Sequence, residues 1–389
     1  MPYSFSFDDV EYLGSASGQE ALARVDELRL AGASLVGDIA RVRARFGSAA
    51  AALVETVLLR RKASEKLLGA QQWLFTDEAV QQATPTLVAR HRARRLTGRA
   101  AHDVTCSVGA ELPELAKTCA AVLGSDVDPV RLAMARRNLV DEQHVGFAMA
   151  DALAPASRGC VLVADPARRS AAGRTLDPEA FQPALPALFE SSAGRDFVVK
   201  CAPGLDFAKL RDIGFQGEIE VVSLAGVVRE AALWSPSLAT ARRRASVLGH
   251  QGCVEELVDT EPDDCAVAPA GQWIVDPDPA VVRAGLVRHY AHRHGLWQLD
   301  QRIAYLTGDA LPRGTRGFQV LEQLPYSEKR LRSALHARHV GAVEILVRGV
   351  DVDSGALRPK LRLRGAERLA VVIARIGSRP VAFVCRPTW

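Results

Sequence analysis

Residues 103–128, DVTCSVGAELPELAKTCAAVLGSDVD, constrain this chain more than any other stretch. An apolar start ends at Asp103, and Ser107-Val108-Gly109 forms a small-residue turn. Leu112, Leu115, Ala116 and Cys119 then recur at helical spacing, and Ala121–Gly124 reads as a strand. The pattern predicts one half of a nucleotide-binding α/β fold, with an acid, Asp126 or Asp128, at the second strand's end to accept ribose hydroxyls. Thr105, Ser107 and Gly109 alternate along the turn where G-x-G-x-x-G would place glycines. A pyrophosphate cradle is therefore not expected, and Asp103 and Glu111 beside the turn suit a cationic ligand instead.

Further strands extend the unit. Asp128-Pro129 starts a helix as cap and first helical residue, and the strand Val145–Ala150 ends at Asp151, placed to contact a base edge. Cys160–Ala164 has the continuous apolar character of a buried parallel strand. It ends in Asp165-Pro166-Ala167-Arg168-Arg169. The Asp-Pro step holds a carboxylate at the strand mouth, where Asp165 would bind or deprotonate an acceptor. Arg168, Arg169 and Arg174 would bind phosphate, or stand as surface arginines of a turn. Phe197–Val199, Glu218–Val222 and Ala245–Leu248 complete the expected sheet, and Cys201 has no partner that would make it a nucleophile.

Upstream, residues 17–69 carry apolar residues at three-to-four spacing, with breaks at Gly32 and Gly47. Thr76 caps one helix and Pro85 opens another, whose Arg90, His91, Arg92, Arg94, Arg95 and Arg99 suit either a phosphate backbone or a solvated face. Downstream, an Asp- and Pro-rich linker runs over about 259–280, and a helix carries His289, His292 and His294 without a third metal ligand in view. From Gly317 the pattern is strand, helix (Glu328–Ala337), then strands at Ala342–Val347, Lys360–Leu363 and Leu369–Ile373, a small α+β domain.

Composition narrows the class. Among 389 residues, 48% are hydrophobic and 24% charged, ordinary for a soluble globular chain. No apolar run approaches the ~18 residues of a membrane span, and the acidic N-terminus does not resemble a signal peptide, so a cytoplasmic protein is expected. Seven cysteines without a C-x-x-C pair argue against a disulfide framework and a structural metal. The net charge of +4 is unevenly spread: from residue 311 onward, fifteen Lys and Arg face six Asp and Glu. A basic terminal domain on an enzyme-like core suggests a polyanionic partner.

These motifs together resemble the class I S-adenosylmethionine-dependent methyltransferases, in a bacterial, actinobacterial-type branch with a THUMP-like C-terminal domain. DVTCSVGAE is similar to that family's first motif, D-x-x-C-G-x-G, GSDVDP to its ribose-binding strand end, MADAL to its adenine-contacting acid, and ADPARR to its D-P-P or N-P-P acceptor turn. WIVDPDPAVVRAGL, IAYLTGD and GAVEILVRGVDVD resemble the THUMP-like part, which in related enzymes accompanies RNA modification.

The resemblance implies a doubly wound Rossmann-like α/β sheet (residues 100–258) after an N-terminal helical region (1–99). It is followed by a linker and helical connection (259–316) and the THUMP-like domain (317–389). It implies S-adenosylmethionine as cofactor, with Asp103, Thr105, Ser107 and Gly109 at the methionine end, Asp126 or Asp128 at the ribose and Asp151 at the adenine. Asp165 and Pro166 would then face the acceptor, and Arg168 and Arg169 the substrate. Two departures stand out: Ser107 replaces a glycine in the tightest part of the turn, and Ala167-Arg168 replaces a second proline and an aromatic, which removes a stacking surface for a flipped base. The expected activity is methyl transfer to RNA, tRNA or rRNA. The alternatives are an RNA-binding protein that keeps the fold without catalysis, and a methyltransferase for a small molecule or protein.

Overall fold

A computed structural model of the chain describes residues 3–170, 173–252 and 254–388, apart from the side chains of residues 169, 170, 173 and 174. It comprises two compact units, one of residues 1–224, 229–240 and 248–253, the other of residues 225–228, 241–247 and 254–389.

The first unit opens with helices α1 (Phe7–Gly14), α2 (Ala16–Asp26), α3 (Leu35–Phe46) and α4 (Ala50–Ala63). Ser6 and Asp9 cap α1 reciprocally, and Gly47, at φ 55°, ends α3. Leu22, Leu53, Val57, Leu74 and Phe75 form their core, which continues into Val108 and Met134 of the following fold. The helical region is thereby seated on the small-residue turn. Two shorter helices, α5 (Asp77–Gln82) and α6 (Thr86–Arg95), begin at Thr76 and after Pro85, as their sequences predict.

The sheet of this unit contains β1 (Ala100–Asp103), β2 (Ala121–Asp126), β3 (Val145–Met149), β4 (Val161–Ala164), β5 (Phe197–Cys201), β6 (Glu218–Leu224) and β7 (Val227–Trp234). Helix α7 (Leu112–Ala116) joins β1 to β2, α8 (Pro129–Asn138) joins β2 to β3, and α9 (Leu185–Ser191) precedes β5, while α10 (Phe207–Asp212) follows it. The strand order is β3-β2-β1-β4-β5-β7-β6. The first five strands are parallel, and β7 runs antiparallel to β5. The order reverses between β1 and β4, which opens a crevice at their carboxyl ends.

Strand β7 is absent from the sequence-based expectation because Arg229 and Glu230 interrupt its apolar run. Glu230 is nonetheless buried, held by Arg92 of α6. Three of the four arginines of α6 are drawn into ion pairs within the unit, and Arg94 is exposed. Arg90 pairs with Glu114, Arg92 with Glu111 and Glu230, and Arg95 with Glu218 and Glu220, while His91 meets Glu220 at 2.7 Å. Arg95 also lies over the Trp234 ring at 3.8 Å. A helix that reads as basic surface is an internal charge-paired strut.

The second unit contains neighbouring strands β8 (Arg243–Leu248) and β9 (Val254–Val258) and a seven-stranded sheet. That sheet is made of β10 (Trp273–Val275), β11 (Trp297–Gln298), β12 (Leu306–Gly308), β13 (Gly317–Pro325), β14 (Val340–Arg348), β15 (Glu367–Ile376) and β16 (Arg379–Pro387), in the order β11-β12-β10-β13-β16-β15-β14. Strand β10 comes from the stretch expected to be a linker, and β11 and β12 from the rest of the expected linker and helical connection. Helices α11 (Pro279–Ala284) and α12 (Val287–His294) fall between β10 and β11. Helix α13 (Glu328–Ala337) buries Leu331 and Leu335 against Val343, Leu369 and Val371.

Residues 360–363, expected to be a strand, instead hold the last residue of helix α14 (Ser354–Lys360) and the turn after it; Asp353 fixes the helix start by accepting from the Gly355 and Ala356 amides. Two of the three histidines of α12 have ordinary partners, while the Nδ1 of the buried His289 has none among the described residues. His292 meets the Asp264 carbonyl, and His294 meets Glu255 at 2.7 Å. Among the described residues no group of three or more His, Cys, Asp or Glu is placed to hold a metal ion, and no helix is long and apolar enough to cross a membrane.

Candidate functional site

The turn after β1 is shaped by residues that tolerate or demand unusual backbone angles. Asp103 accepts from the Thr105 amide at 3.1 Å, and the Cys106 amide donates to the Ser125 carbonyl of β2 at 2.9 Å. Ser107 and Gly109 then take φ of 50° and 83°. At Gly109 the backbone conformation favours glycine, and a Cβ would meet Leu139 Cδ1 at 2.5 Å, so that side chain would have to shift. Asn138 at the end of α8 closes the turn, donating to the Val108 carbonyl at 2.9 Å.

At the end of β2, Asp126 accepts from the Ser107 amide at 2.8 Å and, through its other oxygen, from the Asp128 amide at 2.9 Å. Each carboxylate oxygen keeps a further lone pair. Asp128 is turned elsewhere: one oxygen caps α8 by accepting from the Val130 and Arg131 amides. Of the two acids the sequence leaves open, the geometry presents Asp126.

Together these segments line a cavity of about 430 Å³. Its wall includes Asp103, Thr105, Ser107, Asp126, Asp151 and Asp165, with Gln82, Ala83 and Thr84 of the α5–α6 connection closing one side. Gly109 and Asp128 are not in that wall; they shape the turn and the helix start behind it. Asp151 accepts from the Leu153 amide at 2.8 Å, which fixes its carboxylate at the end of β3. The Asp165 amide donates to Thr105 Oγ1 at 2.7 Å, so the turns after β1 and β4 are joined across the crevice.

The cavity is electronegative. It presents Asp103, Glu111, Asp126, Asp151 and Asp165, and its one arginine, Arg131, pairs with Glu78 at 2.5 Å. Burial, then the neighbouring Glu111, pushes the Asp103 carboxyl up to about 8. Glu111 does not serve as a second open counter-ion. Burial opposes its charge, but Arg92 and Lys200 outweigh burial and hold its pKa below the ordinary value, while Thr84 donates to it at 2.5 Å. Ser107 Oγ is buried and without a hydrogen-bond partner among the described residues. A strand-end acid with open lone pairs, a buried hydroxyl without a partner among the described residues and a carboxyl that a nearby cation would ionise suit a ligand with hydroxyls and a positive charge.

Asp165 also lines a second, smaller cavity of about 190 Å³ with Pro166 and Arg168. Lys200 of β5 reaches Asp165 Oδ2 and donates to the Gln82 carbonyl at 3.2 Å. Burial works against the Lys200 charge; Asp165 and Glu111 outweigh it and hold the pKa above that of a free lysine. Lys66 and Arg229 complete the basic lining. The side chains of Arg169 and Arg174 lie outside the described residues. Cys201 is buried, and burial with the Asp165 charge pushes its thiol up, so it is held as an inert thiol.

Lys200, Lys66, Arg229 and the Gln82–Thr84 segment were not singled out from the sequence. Lys200 carried a signal, a lone lysine ending the apolar run Phe197–Val199. Lys66 and Arg229 carried none, because each reaches the site only through the packing of a distant element.

Comparison with known proteins bears on the family of the chain. A family model described as THUMP domain-like matches residues 315–387, and one for a domain of unknown function matches residues 6–63. Two Mycobacterium tuberculosis proteins, from strains CDC 1551 / Oshkosh and ATCC 25618 / H37Rv, are each described as an uncharacterized S-adenosylmethionine-dependent methyltransferase. Each is 58% identical over 360 residues, which is 89% of this chain and 100% of the relative. The crystal structure of a candidate methyltransferase from Porphyromonas gingivalis W83 shares the fold at 16% identity, with a TM-score of 0.74 over 95% of this chain and 99% of that one. At this identity and coverage the chain belongs to the S-adenosylmethionine-dependent methyltransferases, with a Rossmann-like sheet and a C-terminal THUMP-like domain.

Proposed function

We propose that this enzyme methylates RNA, a tRNA or rRNA, with the donor in the larger cavity and the acceptor group at the Asp165-Pro166 turn. The observation that carries the reading is the position of Asp165. It lines both cavities and is anchored on one side by Thr105 and on the other by Lys200. The THUMP-like match and the charge excess after residue 311 support a nucleic-acid acceptor.

Within the larger cavity, Asp126 would accept the ribose hydroxyls on its remaining lone pairs, and Asp151 would accept from the adenine amine. Thr105, Ser107 and Asp103 would surround the methionine end, with Ser107 Oγ gaining its missing partner. When bound, S-adenosylmethionine supplies a methyl group on a sulfonium, an already activated donor. The protein then has to align the acceptor and exclude water. Asp165 would orient the acceptor N–H or O–H and accept its proton, with Lys200 holding the carboxylate in place and Pro166 fixing the chain direction just beyond it.

The test is transfer of labelled methyl groups from S-adenosylmethionine to fractionated RNA from the host. Label in a defined tRNA or rRNA fraction is expected, lost in Asp165→Asn. Label confined to protein or small molecules would overturn the RNA reading. A small-molecule acceptor has one observation in its favour: the acceptor cavity is small and none of the described residues lining it is aromatic.

A further inference from the structure

The smaller cavity gathers cations from four separate parts of the chain. Lys66 comes from the turn after α4, Arg168 from the turn after β4, Lys200 from β5 and Arg229 from β7. Two carboxylates share that lining, and both are already engaged: Asp165 is held by Lys200, and Glu230 by Arg92. The cations of the lining therefore outnumber its carboxylates, and among the described residues neither carboxylate is ion-paired with Lys66, Arg168 or Arg229.

Lys66 shows the consequence. Its ammonium donates to the Ala83 carbonyl at 2.8 Å and the Gln81 carbonyl at 3.3 Å, which leaves one of its three N–H groups. Burial first, and then repulsion from Lys200, Lys62 and Arg229, with Asp165 opposing them, pulls its pKa down to about 8. A cluster of cations that loosens its own proton is one that gains from an anion. Two arginine forks and an ammonium around about 190 Å³ match a tetrahedral oxyanion with several acceptor oxygens better than a single planar carboxylate.

We infer that this cavity is a phosphate-binding subsite in which Lys66, Arg168 and Arg229 hold a phosphate group of the acceptor beside the Asp165 turn. The inference rests on the RNA reading for the phosphate's source, a backbone phosphodiester next to the modified nucleotide. A free phosphate or a phosphorylated small molecule would offer the same chemistry. The subsite also gives the N-terminal helical region a role: Lys66 delivers it to the acceptor, and the Gln81–Ala83 carbonyls that hold Lys66 belong to the segment that also walls the donor cavity.

The experiment uses the full chain loaded with S-adenosylhomocysteine and inorganic phosphate as the probe, read by ³¹P line broadening, with RNA methylation kinetics measured in parallel. The variants are Lys66→Gln, Arg229→Gln and the pair, with cofactor affinity by calorimetry as the control. Phosphate affinity is expected to fall about tenfold in each single variant and about a hundredfold in the pair. The KM for RNA should rise by similar factors while kcat and cofactor affinity stay within about twofold. In the unaltered enzyme phosphate binding should weaken as the pH rises above about 8, and Lys66→Gln should remove that slope.

Phosphate binding equal in the unaltered and double-variant enzymes would overturn the subsite whatever RNA does. RNA that is never methylated, with phosphate still bound through Lys66 and Arg229, would keep the subsite and discard the RNA source. Arg229 is exposed, so Arg229→Gln keeps the test decisive if Lys66→Gln disturbs the segment it anchors.

Discussion

The two cavities that meet at Asp165 are built on opposite electrostatic plans. The larger is walled by carboxylates at the ends of β1, β2, β3 and β4, and its arginine is neutralised by Glu78. The smaller is walled by two lysines and two arginines, and its carboxylates are paired, Asp165 with Lys200 of the wall and Glu230 with Arg92 behind it. A negative chamber suits a cationic methyl donor, and a positive one suits an anionic acceptor. The Asp165–Lys200 pair stands on the boundary, one member from each plan. Methyl transfer discharges the donor's positive charge, so a field that favours the donor stabilises the ground state more than the transition state, and alignment of the acceptor has to offset it.

The largest effect should come from removing the acid that organises the negative chamber. Asp126→Ala deletes the partner of the Ser107 and Asp128 amides as well as the ribose acceptor. Cofactor affinity measured by calorimetry should fall at least about a hundredfold. An affinity within fivefold of the unaltered enzyme would remove Asp126 from the site.

The boundary pair comes next. Lys200→Met leaves Asp165 without its counter-ion, and turnover should fall about a hundredfold with cofactor affinity little changed. The stability loss should be about 2 kcal/mol by denaturant titration, smaller than for a fully buried pair because the Asp165 side chain is 35% exposed. The double variant Lys200→Met/Asp165→Asn should recover most of that stability and none of the turnover. Recovery of turnover would show that the pair acts only as a structural contact.

The difference between the chambers was half legible in the sequence. Carboxylates at strand ends announce themselves, because an apolar run that stops at an acid marks both the strand and its mouth, as at Asp103, Asp126, Asp151 and Asp165. The positive chamber was nearly invisible, since its residues lie far apart in the chain and only the order β4-β5-β7 and the seating of α4 bring them together. Helix α6 misled for the complementary reason. Its run of arginines looks like a polyanion site until Glu111, Glu114, Glu218, Glu220 and Glu230 arrive from three other elements to neutralise it. Glu230 likewise disguised β7, because a buried ion pair breaks the apolar alternation by which a strand is recognised. Charge composition located the polar residues; pairing, which is a tertiary property, decided what they do.

Protonation offers a gentler way to tilt the negative chamber. Asp103 titrates at about 8, pushed up by burial and then by Glu111. A cationic ligand favours the carboxylate, so binding releases the proton and affinity for S-adenosylmethionine should rise from pH 6 to pH 8, approaching tenfold per unit while Asp103 stays protonated in the free enzyme. S-adenosylhomocysteine has no sulfonium charge and should show a shallower slope, and Asp103→Asn should flatten both. The same raised acid has the opposite effect on the unliganded fold. Because the folded state holds the proton more tightly, stability should fall as the pH climbs from about 4 to about 8. Parallel slopes for the two ligands would mean that the chamber does not sense the sulfonium.

The smallest effect is expected at Ser107, where two contributions oppose each other. A serine held at φ 50° carries backbone strain that glycine would not, so Ser107→Gly should relieve about 1 kcal/mol of local strain, offset in part by glycine's greater freedom in the unfolded chain. The same change deletes the buried hydroxyl that has no hydrogen-bond partner among the described residues. If that hydroxyl hydrogen-bonds the methionine end, its removal should weaken cofactor binding about five- to tenfold while the melting temperature holds or rises slightly. Tighter binding in the glycine variant would instead mark Ser107 as an obstruction in the turn. The negative chamber would then owe its selectivity to carboxylates alone, with the hydroxyl a packing feature of the β1 turn.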